Sequence, residues 1–269
     1  MNPVGWTDTH AHLADSDLFE KLPSVLANAF AHQVRRIVCV AVDAGSLDTI
    51  DAIHRQNQES VGDKPEIWSS VGIHPNYAHQ EKAGDWEKIV AKSSETRVCA
   101  IGETGLDKYW DDCPFELQQI NFGRHWELSR QTGLPVIVHS RDCDREMLDW
   151  LRQEHRHGPL IGVMHSFCSS YEMAMECIDM GLYISFSGML TYKKNESLRQ
   201  IAARLPLDRL LVETDAPYLS PEPKRGTRPN EPAYVSYTGK VLAELHSQKD
   251  SSMAKITTDN ARRLFSRMG

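Results

Sequence analysis

The residues with the clearest capacity for chemistry lie close to the start of the chain. The segment TDTHAHL, residues 7–13, contains Asp8, His10 and His12. Alternate residues of a β-strand point to the same face, so His10 and His12 are placed to bind one metal ion together. Such a pair is weak evidence alone, because the charged segment EHRHGP at 154–159 contains another, which we interpret as a helix end or loop.

Four further apolar segments end in a potential metal ligand. These residues are Glu103 in CAIGE, His139 in PVIVH, His165 in IGVMH and Asp215 in LLVETD. Four imidazoles and two carboxylates exceed what one ion needs. They suit two divalent ions about 3.5–4 Å apart that share a carboxylate. The residues therefore predict a metal centre with two ions, provided that the fold brings the strand ends together.

The elements that must position these residues recur along the whole chain. Eight apolar, β-branched segments predict strands at 4–10, 36–43, 66–75, 97–105, 135–142, 160–167, 182–188 and 209–217. The clearest helical patterns between them lie at 17–33, 114–133, 171–181, 197–206 and 231–246. This alternation predicts an α/β fold, a single (β/α)8 TIM-type barrel domain over residues 1–269, with a doubly wound open sheet as the alternative. Barrel active sites lie at the C-terminal strand ends, where the candidate ligands are.

Net charge, the lengths of apolar runs and cysteine usage limit the kinds of protein that this chain can be. The net charge of -7 in 269 residues counts against a broad basic surface for gripping nucleic acid, although local phosphate contacts remain compatible with it. No apolar run approaches the roughly 20 residues of a membrane-spanning helix, so no membrane association is expected. The six scattered cysteines form no C-x-x-C pair, which predicts reduced thiols and a cytoplasmic location.

Several motifs identify a family. They are DTHAHL (8–13), VGIHP (71–75), AIGETGLD (100–107), LPVIVHSRD (134–142), MHSF (164–167) and LLVETDAPYLSP (210–221). With these motifs the chain resembles, nearly end to end, the TatD-type metal-dependent deoxyribonucleases, which belong to the amidohydrolase-like metallohydrolases. The resemblance implies a TIM-type barrel, in agreement with the predicted elements. It also implies two divalent metal ions, which are Mg, Mn or Zn in descriptions of relatives.

The resemblance implies a role for each candidate ligand. It assigns His10 and His12 to the first ion, His139 and His165 to the second, and Glu103 to both. Asp215 is implied to bind the first ion and to face the attacking water, whose proton it can take as a general base. Asp215 and Glu103 are therefore the expected catalytic carboxylates. His74 in GIHP is implied to contact the substrate or a ligand, and not to bind a metal ion itself.

Other polar residues near the predicted strand ends allow more than one interpretation. Glu213 precedes Asp215 by two positions, and we expect it to hold a ligand histidine rather than to bind a further metal ion or pair with a buried arginine. The same supporting role is expected of Asp8, with hydrogen bonds from backbone groups as the alternative. Asp107 in GLD is interpreted as a turn-forming residue and not as a catalyst.

The loops after the strands hold candidate substrate contacts. Arg225, in the loop RGTRPNEP (225–232), is expected to contact phosphate, and Arg141 and the lysines 193–194 follow other strands on the same side. Solvated loop charge without a binding role is the alternative for these cations. The RGTRPNEP loop is one residue longer than is usual in the family, which leaves substrate choice open. Tyr109 and Trp110 are suited to stack on a base, while burial against the following helix is the alternative for Trp110.

Three functions are compatible with these residues. The leading hypothesis is a deoxyribonuclease that hydrolyses phosphodiester bonds with metal-activated water, as a 3′→5′ exonuclease on single-stranded or damaged DNA. Its polarity and its link to DNA repair come from the resemblance alone. The second is an ester or amide hydrolase with the same metal pair, such as an aminoacyl-tRNA deacylase, and the third is a scaffold without catalysis. The expected partner is single-stranded DNA ends, bound by a monomer or a weak oligomer.

Overall fold

Eight parallel strands form the centre of the fold, which a computed structural model describes for residues 5–269. They are β1 (Trp6–Ala11), β2 (Val34–Cys39), β3 (Glu66–Val71), β4 (Val98–Asp107), β5 (Val136–Arg141), β6 (Gly162–Met164), β7 (Tyr183–Phe186) and β8 (Leu210–Val212). One strand lies within or across each predicted segment. Residues 1–4, which the predicted domain and the start of the first predicted strand included, lie outside the described residues.

The strands close into a barrel. They pair in chain order from β1 to β8, and each of these pairs is parallel. A bridge between Ala11 and Ala216 joins the two ends of the sheet. Two hydrogen bonds reinforce it, from His12 N–H to the Ala216 carbonyl (2.7 Å) and from Asp215 N–H to the His10 carbonyl (2.9 Å). The (β/α)8 barrel is therefore confirmed, and the open-sheet alternative is wrong because its edge strands would lie apart.

Ten α-helices surround the strands in the described part of the chain. They are α1 (Ser16–Phe19), α2 (Leu22–Ala31), α3 (Ser46–Glu59), α4 (Asp85–Lys92), α5 (Phe115–Thr132), α6 (Asp144–His155), α7 (Tyr171–Asp179), α8 (Glu196–Ala202), α9 (Val235–Leu245) and α10 (Asp250–Leu264). The second histidine pair lies where α6 ends, at His155, as expected.

The helix predicted over 17–33 is wrong as a continuous element, since it is two helices, α1 and α2. Pro23 lies in the first turn of α2, where an N–H has no partner within the helix. Inside an unbroken helix, Pro23 would remove a hydrogen bond and clash with the carbonyl four residues earlier, at Phe19. The chain therefore restarts its helix just before the proline.

The interior of the barrel is apolar below the strand ends. One cluster of buried residues includes Val38, Ile137, Val163 and Leu211, together with Phe265 from the C-terminal segment. Ile137 and Val163 lie two positions before His139 and His165, so they share a strand face with these histidines. The candidate ligands thus form the top layer of a packed barrel, facing the mouth, which we define as the C-terminal strand ends and the loops that follow them.

Two further observations concern the environment of the chain. Within residues 5–269, no helix is both long enough and apolar enough to cross a membrane. All six cysteines are free, and every one except Cys168 is buried.

Candidate metal centre

The six predicted ligands meet at the mouth of the barrel, and together we call them the metal centre. It consists of His10, His12, Glu103, His139, His165 and Asp215. Their potential ligand atoms, with that of His74, form three overlapping groups in which all atoms lie within 4.8 Å of one another. Glu103 and His10 are almost fully buried, whereas His12, His139 and Asp215 keep 12–14% of their side-chain surface exposed. The centre is thus closed below and open towards the mouth.

Glu103 occupies the middle of the centre and faces two separate sets of donors. Its Oε2 atom lies 3.3 Å from His10 Nε2 and 3.7 Å from His12 Nε2. Its Oε1 atom lies 2.8 Å from both His139 Nδ1 and His165 Nε2. Since each oxygen serves a different set, this carboxylate has the geometry of a ligand shared by two ions.

The first set, which we call the β1/β8 half, contains His10, His12 and Asp215. The two Nε2 atoms lie 3.1 Å apart, and Asp215 Oδ1 lies 3.3 Å from His12 Nε2 and 3.7 Å from His10 Nε2. Two nitrogen lone pairs that converge beside two carboxylates fit a divalent cation between them. Asp215 has a φ of 57°, a left-handed conformation that is uncommon outside glycine, and it turns the chain at the end of β8.

The second set, the β5/β6 half, contains His139 and His165. His139 Nδ1 lies 3.2 Å from His165 Nε2, and the remaining nitrogen of each ring faces a carboxylate. His139 Nε2 is 2.9 Å from Asp107 Oδ2, and His165 Nδ1 is 3.3 Å from Glu213 Oε1. A carboxylate behind a histidine fixes the ring and makes its other nitrogen a better metal ligand. This half therefore also fits a divalent cation.

Electrostatics reinforces the ligand character of the centre. Burial alone would raise the pKa of Glu103, but the neighbouring histidines, above all His165, outweigh it and hold that pKa well below its usual range. Burial would lower the pKa of His165, yet the charge of Glu103 raises it well above the usual value. Both shifts favour an ionised Glu103 beside a protonated His165, and a bound cation would take the place of that proton.

Two glycines allow the end of β3 to approach the middle of β4 at the centre. A Cβ atom on Gly72 would lie 2.6 Å from the Cα of Gly102, and Gly102 itself has a φ of 123°. A side chain is thus excluded by space at the first position and by backbone conformation at the second. The close contact brings His74, two residues after Gly72, to 3.6 Å from Glu103, measured from Nε2 to Oε1.

His74 reaches the centre in a form that donates a hydrogen bond. Its Nδ1 atom accepts the backbone N–H of Asn76 at 3.1 Å, so the neutral ring carries its proton on Nε2, the atom that faces Glu103. Burial lowers the pKa of His74 to about 3, which keeps the ring neutral. Binding a metal through Nε2 would require moving that proton to the occupied Nδ1. The geometry favours contact with a substrate oxygen.

Asp107 has a larger part in the site than the sequence interpretation gave it. It does form a turn, because Oδ1 accepts the backbone N–H groups of Tyr109 (2.8 Å) and Trp110 (3.1 Å). Its Oδ2 also accepts from His139 Nε2, and despite burial this bond helps to lower the pKa of Asp107 to about 2. The spacing from Glu103 was the available signal, since residues four apart in one strand share a face.

Glu213 and Asp8 are both buried beside the centre, with different contacts. Glu213 lies against His165 and accepts the backbone N–H of Ser166 at 2.6 Å, in line with the expected supporting position. Asp8 touches no ligand ring; it accepts from the N–H (2.9 Å) and hydroxyl (2.6 Å) of Thr214 and from the N–H of His10 (3.3 Å). It thus ties β1 to the segment just before Asp215. Burial raises the pKa of Asp8 to about 8.

The loop candidates lie around the mouth. Arg225 is exposed and lies over the ring of Tyr192, 3.8 Å from its centroid. Trp110 and Tyr109 keep 50% and 52% of their surface exposed, so the alternative in which Trp110 is buried against the following helix is wrong. Both rings therefore remain open to a ligand.

Comparison with known proteins gives matches along nearly the whole chain. The sequence model of the family described as TatD related DNase matches residues 7–266. An uncharacterized metal-dependent hydrolase of Bacillus subtilis, YabD, is 37% identical over 258 residues, which cover 96% of this chain and 98% of that protein. A 3′-5′ ssDNA/RNA exonuclease TatD of Citrobacter rodentium is 30% identical over 267 residues, covering 96% and 97%. The crystal structure of YjjV, a TatD homologue from Escherichia coli K12, matches with a TM-score of 0.87 at 28% identity, covering 97% and 98%.

Proposed function

The chain belongs to the TatD family of metal-dependent hydrolases, and from that premise we propose that it is a deoxyribonuclease acting on single-stranded or damaged DNA. The proposed reaction is hydrolysis of phosphodiester bonds from the 3′ end. The observation that carries the proposal is the position of Glu103, whose two oxygens face two sets of imidazoles at the open end of a barrel. Enzymes commonly hydrolyse phosphodiester bonds with two metal ions that share a carboxylate in this way.

We assign two divalent ions, Mg, Mn or Zn, to this centre. His10, His12 and Asp215 would hold the first, His139 and His165 the second, and Glu103 both. When bound, the ions would polarise the phosphodiester and lower the pKa of a water molecule. The ligand set is rich in imidazole, which suits Zn or Mn better than Mg.

Asp215 is the proposed general base. Its carboxylate is 13% exposed, so one oxygen can reach a water at the mouth while Oδ1 stays 3.3 Å from His12. The surrounding histidines outweigh burial and lower the pKa of Asp215, which keeps it ionised and ready to accept a proton at neutral pH. Glu103 would orient the two ligand sets and stay ionised throughout the reaction.

The neighbouring residues complete the proposed site. His74 would donate a hydrogen bond from Nε2–H to a non-bridging phosphate oxygen. Arg225 would contact the DNA strand further along its backbone. Asp107 and Glu213 would hold His139 and His165 in position, and Asp8 would fix the backbone of β1 against β8. Each assignment is supported by the contacts of these residues described above.

The single-stranded preference has separate support. The relative from Citrobacter rodentium is named as a single-stranded DNA and RNA exonuclease. The net charge of -7 disfavours a protein that wraps a duplex, whereas local cations such as Arg225 suit a strand end. Six free cysteines support action in the cytoplasm, where DNA repair would be the setting. All proposed groups come from one chain, so the site needs no second subunit, and a monomer or weak oligomer is the proposed state.

Cleavage of labelled oligonucleotides tests the proposal. Protein stripped with a chelator is reloaded separately with Mg, Mn or Zn and given single-stranded DNA labelled at its 5′ end. We expect a metal-dependent ladder that shortens from the 3′ end. It should be lost in Asp215→Ala and kept in the matched Asp63→Ala, whose exposed carboxyl lies between α3 and β3 at the opposite end of the barrel.

Three results would contradict the proposed nuclease. Equal cleavage by the wild type and Asp215→Ala would identify a contaminant. Metal-loaded protein that leaves DNA intact but hydrolyses aminoacyl-tRNA or a simple ester would establish the alternative reaction at carbon. Protein that takes up no divalent metal on titration would leave the scaffold as the better account.

A further inference from the structure

The exposed aromatic residues of the molecule are concentrated at the mouth. Among the described residues, the large apolar side chains with the greatest exposure include four aromatic ones: Tyr77, Tyr109, Trp110 and Tyr218. They lie in the loops that follow β3, β4 and β8. Exposed aromatic side chains that cluster on one surface are typical of binding sites.

Tyr109 and Trp110, which we call the aromatic pair, are held in place rather than loosely attached. Asp107 Oδ1 accepts both of their backbone N–H groups, and the two rings meet edge to face with centroids 4.9 Å apart. The Arg141 guanidinium lies over the Tyr109 ring, 3.6 Å from its centroid. About half of each side chain nevertheless remains exposed. The pair is therefore ordered before any ligand arrives, which reduces the entropic cost of binding.

The aromatic pair is connected directly to the metal centre. The carboxylate of Asp107 that holds the two backbone N–H groups also accepts from His139 Nε2 at 2.9 Å. One side chain thus fixes a metal ligand on one oxygen and the start of the aromatic loop on the other. A ligand group on the pair would therefore lie beside the metal centre.

The charges around the pair indicate what kind of group it accepts. Asp111 and Asp112 follow it and are exposed, while Lys108 is paired with Glu146. Arg141, from the end of β5, is an exposed cation beside the Tyr109 ring. The loop's own charges nevertheless repel phosphate more than they attract it. A flat, uncharged ring suits it better, and unpaired nucleobases stack on aromatic side chains with little regard to sequence.

We propose that Tyr109 and Trp110 form a stacking subsite for one unpaired nucleobase of the strand under hydrolysis, an inference that rests on the proposed nuclease function. The subsite gives a physical reason for a preference for single strands, because bases in a duplex cannot expose a face to it. It also predicts tolerance of base identity at that position, since each base offers a π-face.

Abasic scanning tests the subsite. A series of single-stranded oligonucleotides carries one abasic residue, moved stepwise from the 3′ end, and KM is measured for each. For the wild type we expect KM to rise about 10-fold at one position. Trp110→Ala should raise KM for the intact strand and lose the dependence on that position, whereas Trp110→Phe should restore it.

Controls separate stacking from damage to the fold. Ile161→Ala removes a side chain of matching 50% exposure just before β6, at the end of the barrel opposite the mouth, and should retain the wild-type profile. Metal content and melting temperature should be equal in all variants. Tyr109→Ala provides a second test if Trp110→Ala is unstable, and it should flatten the same position.

The outcomes distinguish this inference from the proposed function. Cleavage with the same abasic profile in the wild type and both alanine variants would overturn the subsite and leave the nuclease intact. Absence of DNA cleavage would overturn the nuclease. In that event, Kd values of the Asp215→Ala protein for the same strands decide the subsite. A position-dependent loss that Trp110→Ala removes supports it, and uniform Kd values refute it.

Discussion

The two halves of the metal centre differ in what stands behind their histidines. In the β5/β6 half, His139 Nε2 is hydrogen-bonded to Asp107, and His165 Nδ1 lies 3.3 Å from Glu213 Oε1 without forming a hydrogen bond. In the β1/β8 half, the Nδ1 atoms of His10 and His12 are buried and have no hydrogen-bond partner among the described residues. Histidine ligands backed by carboxylates are better oriented and more basic. The β5/β6 half is therefore expected to bind its ion more tightly.

The difference has a functional reading. Asp215, the proposed general base, belongs to the half with the less supported histidines, and it is also the carboxylate that reaches towards the mouth. The ion in the β5/β6 half would be firmly held, and the ion beside the base would exchange more easily. Substrate and water would then rearrange only in the β1/β8 half. Metal occupancy, and not activity alone, therefore distinguishes the two halves.

Glu103→Gln should have the largest effect, because it removes the charge shared by both halves. The amide keeps the size of the side chain but no longer attracts two cations, so we expect both ions to be lost and cleavage to fall to the metal-free background. Metal analysis after gel filtration gives the occupancy. Retention of two ions in this variant would show that Glu103 is not shared.

His10→Ala combined with His12→Ala should separate the halves. Only the β1/β8 half loses ligands, so the bound metal should fall from two ions to one and cleavage should be lost with the first ion. The converse variant, His139→Ala with His165→Ala, removes ligands of the more tightly held ion. It should therefore weaken binding of the ion that remains in the β1/β8 half more than the first variant weakens binding in the β5/β6 half. If the first double variant keeps both ions, the assignment of the β1/β8 half is wrong.

Asp107→Asn sharpens the comparison without removing a ligand. The amide cannot hold the His139 imidazole as a carboxylate does, so metal affinity of the β5/β6 half should fall about 10- to 100-fold. Competition with a chelating dye measures this change. Asp111→Asn, an exposed neighbour in the same loop, is the matched control and should bind metal as the wild type does.

His74→Phe is expected to have the smallest effect and to leave both halves occupied. It removes the Nε2 donor but keeps a ring of similar size, and loss of one hydrogen bond to a charged oxygen costs about 1.5 kcal/mol, roughly 10-fold in kcat/KM. His74→Gln, which can donate again, should recover part of the activity. A fall in metal content in His74→Phe would identify His74 as a ligand instead.

The sequence predicted the barrel and the metal centre because both follow from strand patterns. Eight apolar segments indicated the strands, and polar residues at their ends indicated what converges at the mouth. Contacts that depend on loop conformation were beyond its reach. The Nε2–H form of His74 depends on the backbone N–H of Asn76, and the exposure of Trp110 depends on a turn held by Asp107.

One error and one omission have local causes that the sequence did contain. The helix predicted over 17–33 ignored the strength of Pro23 as a helix start. The interpretation of Asp107 as a turn residue is correct but incomplete, because it missed the contact with His139. β4 was predicted to end at 105, whereas the strand continues to Asp107 and keeps it on the face of Glu103. A strand end misplaced by two residues was enough to hide a partner of His139.

Single-turnover cleavage of single-stranded DNA, followed while metal is added stepwise to stripped protein, tests the central claim most directly. If the two halves bind metal unequally and act together, the first equivalent should bind tightly in the β5/β6 half without supporting cleavage. The rate constant should then rise with the second equivalent and level off at two. Full activity at one equivalent, or two bound equivalents without cleavage, would contradict a nuclease built on a metal pair shared by Glu103.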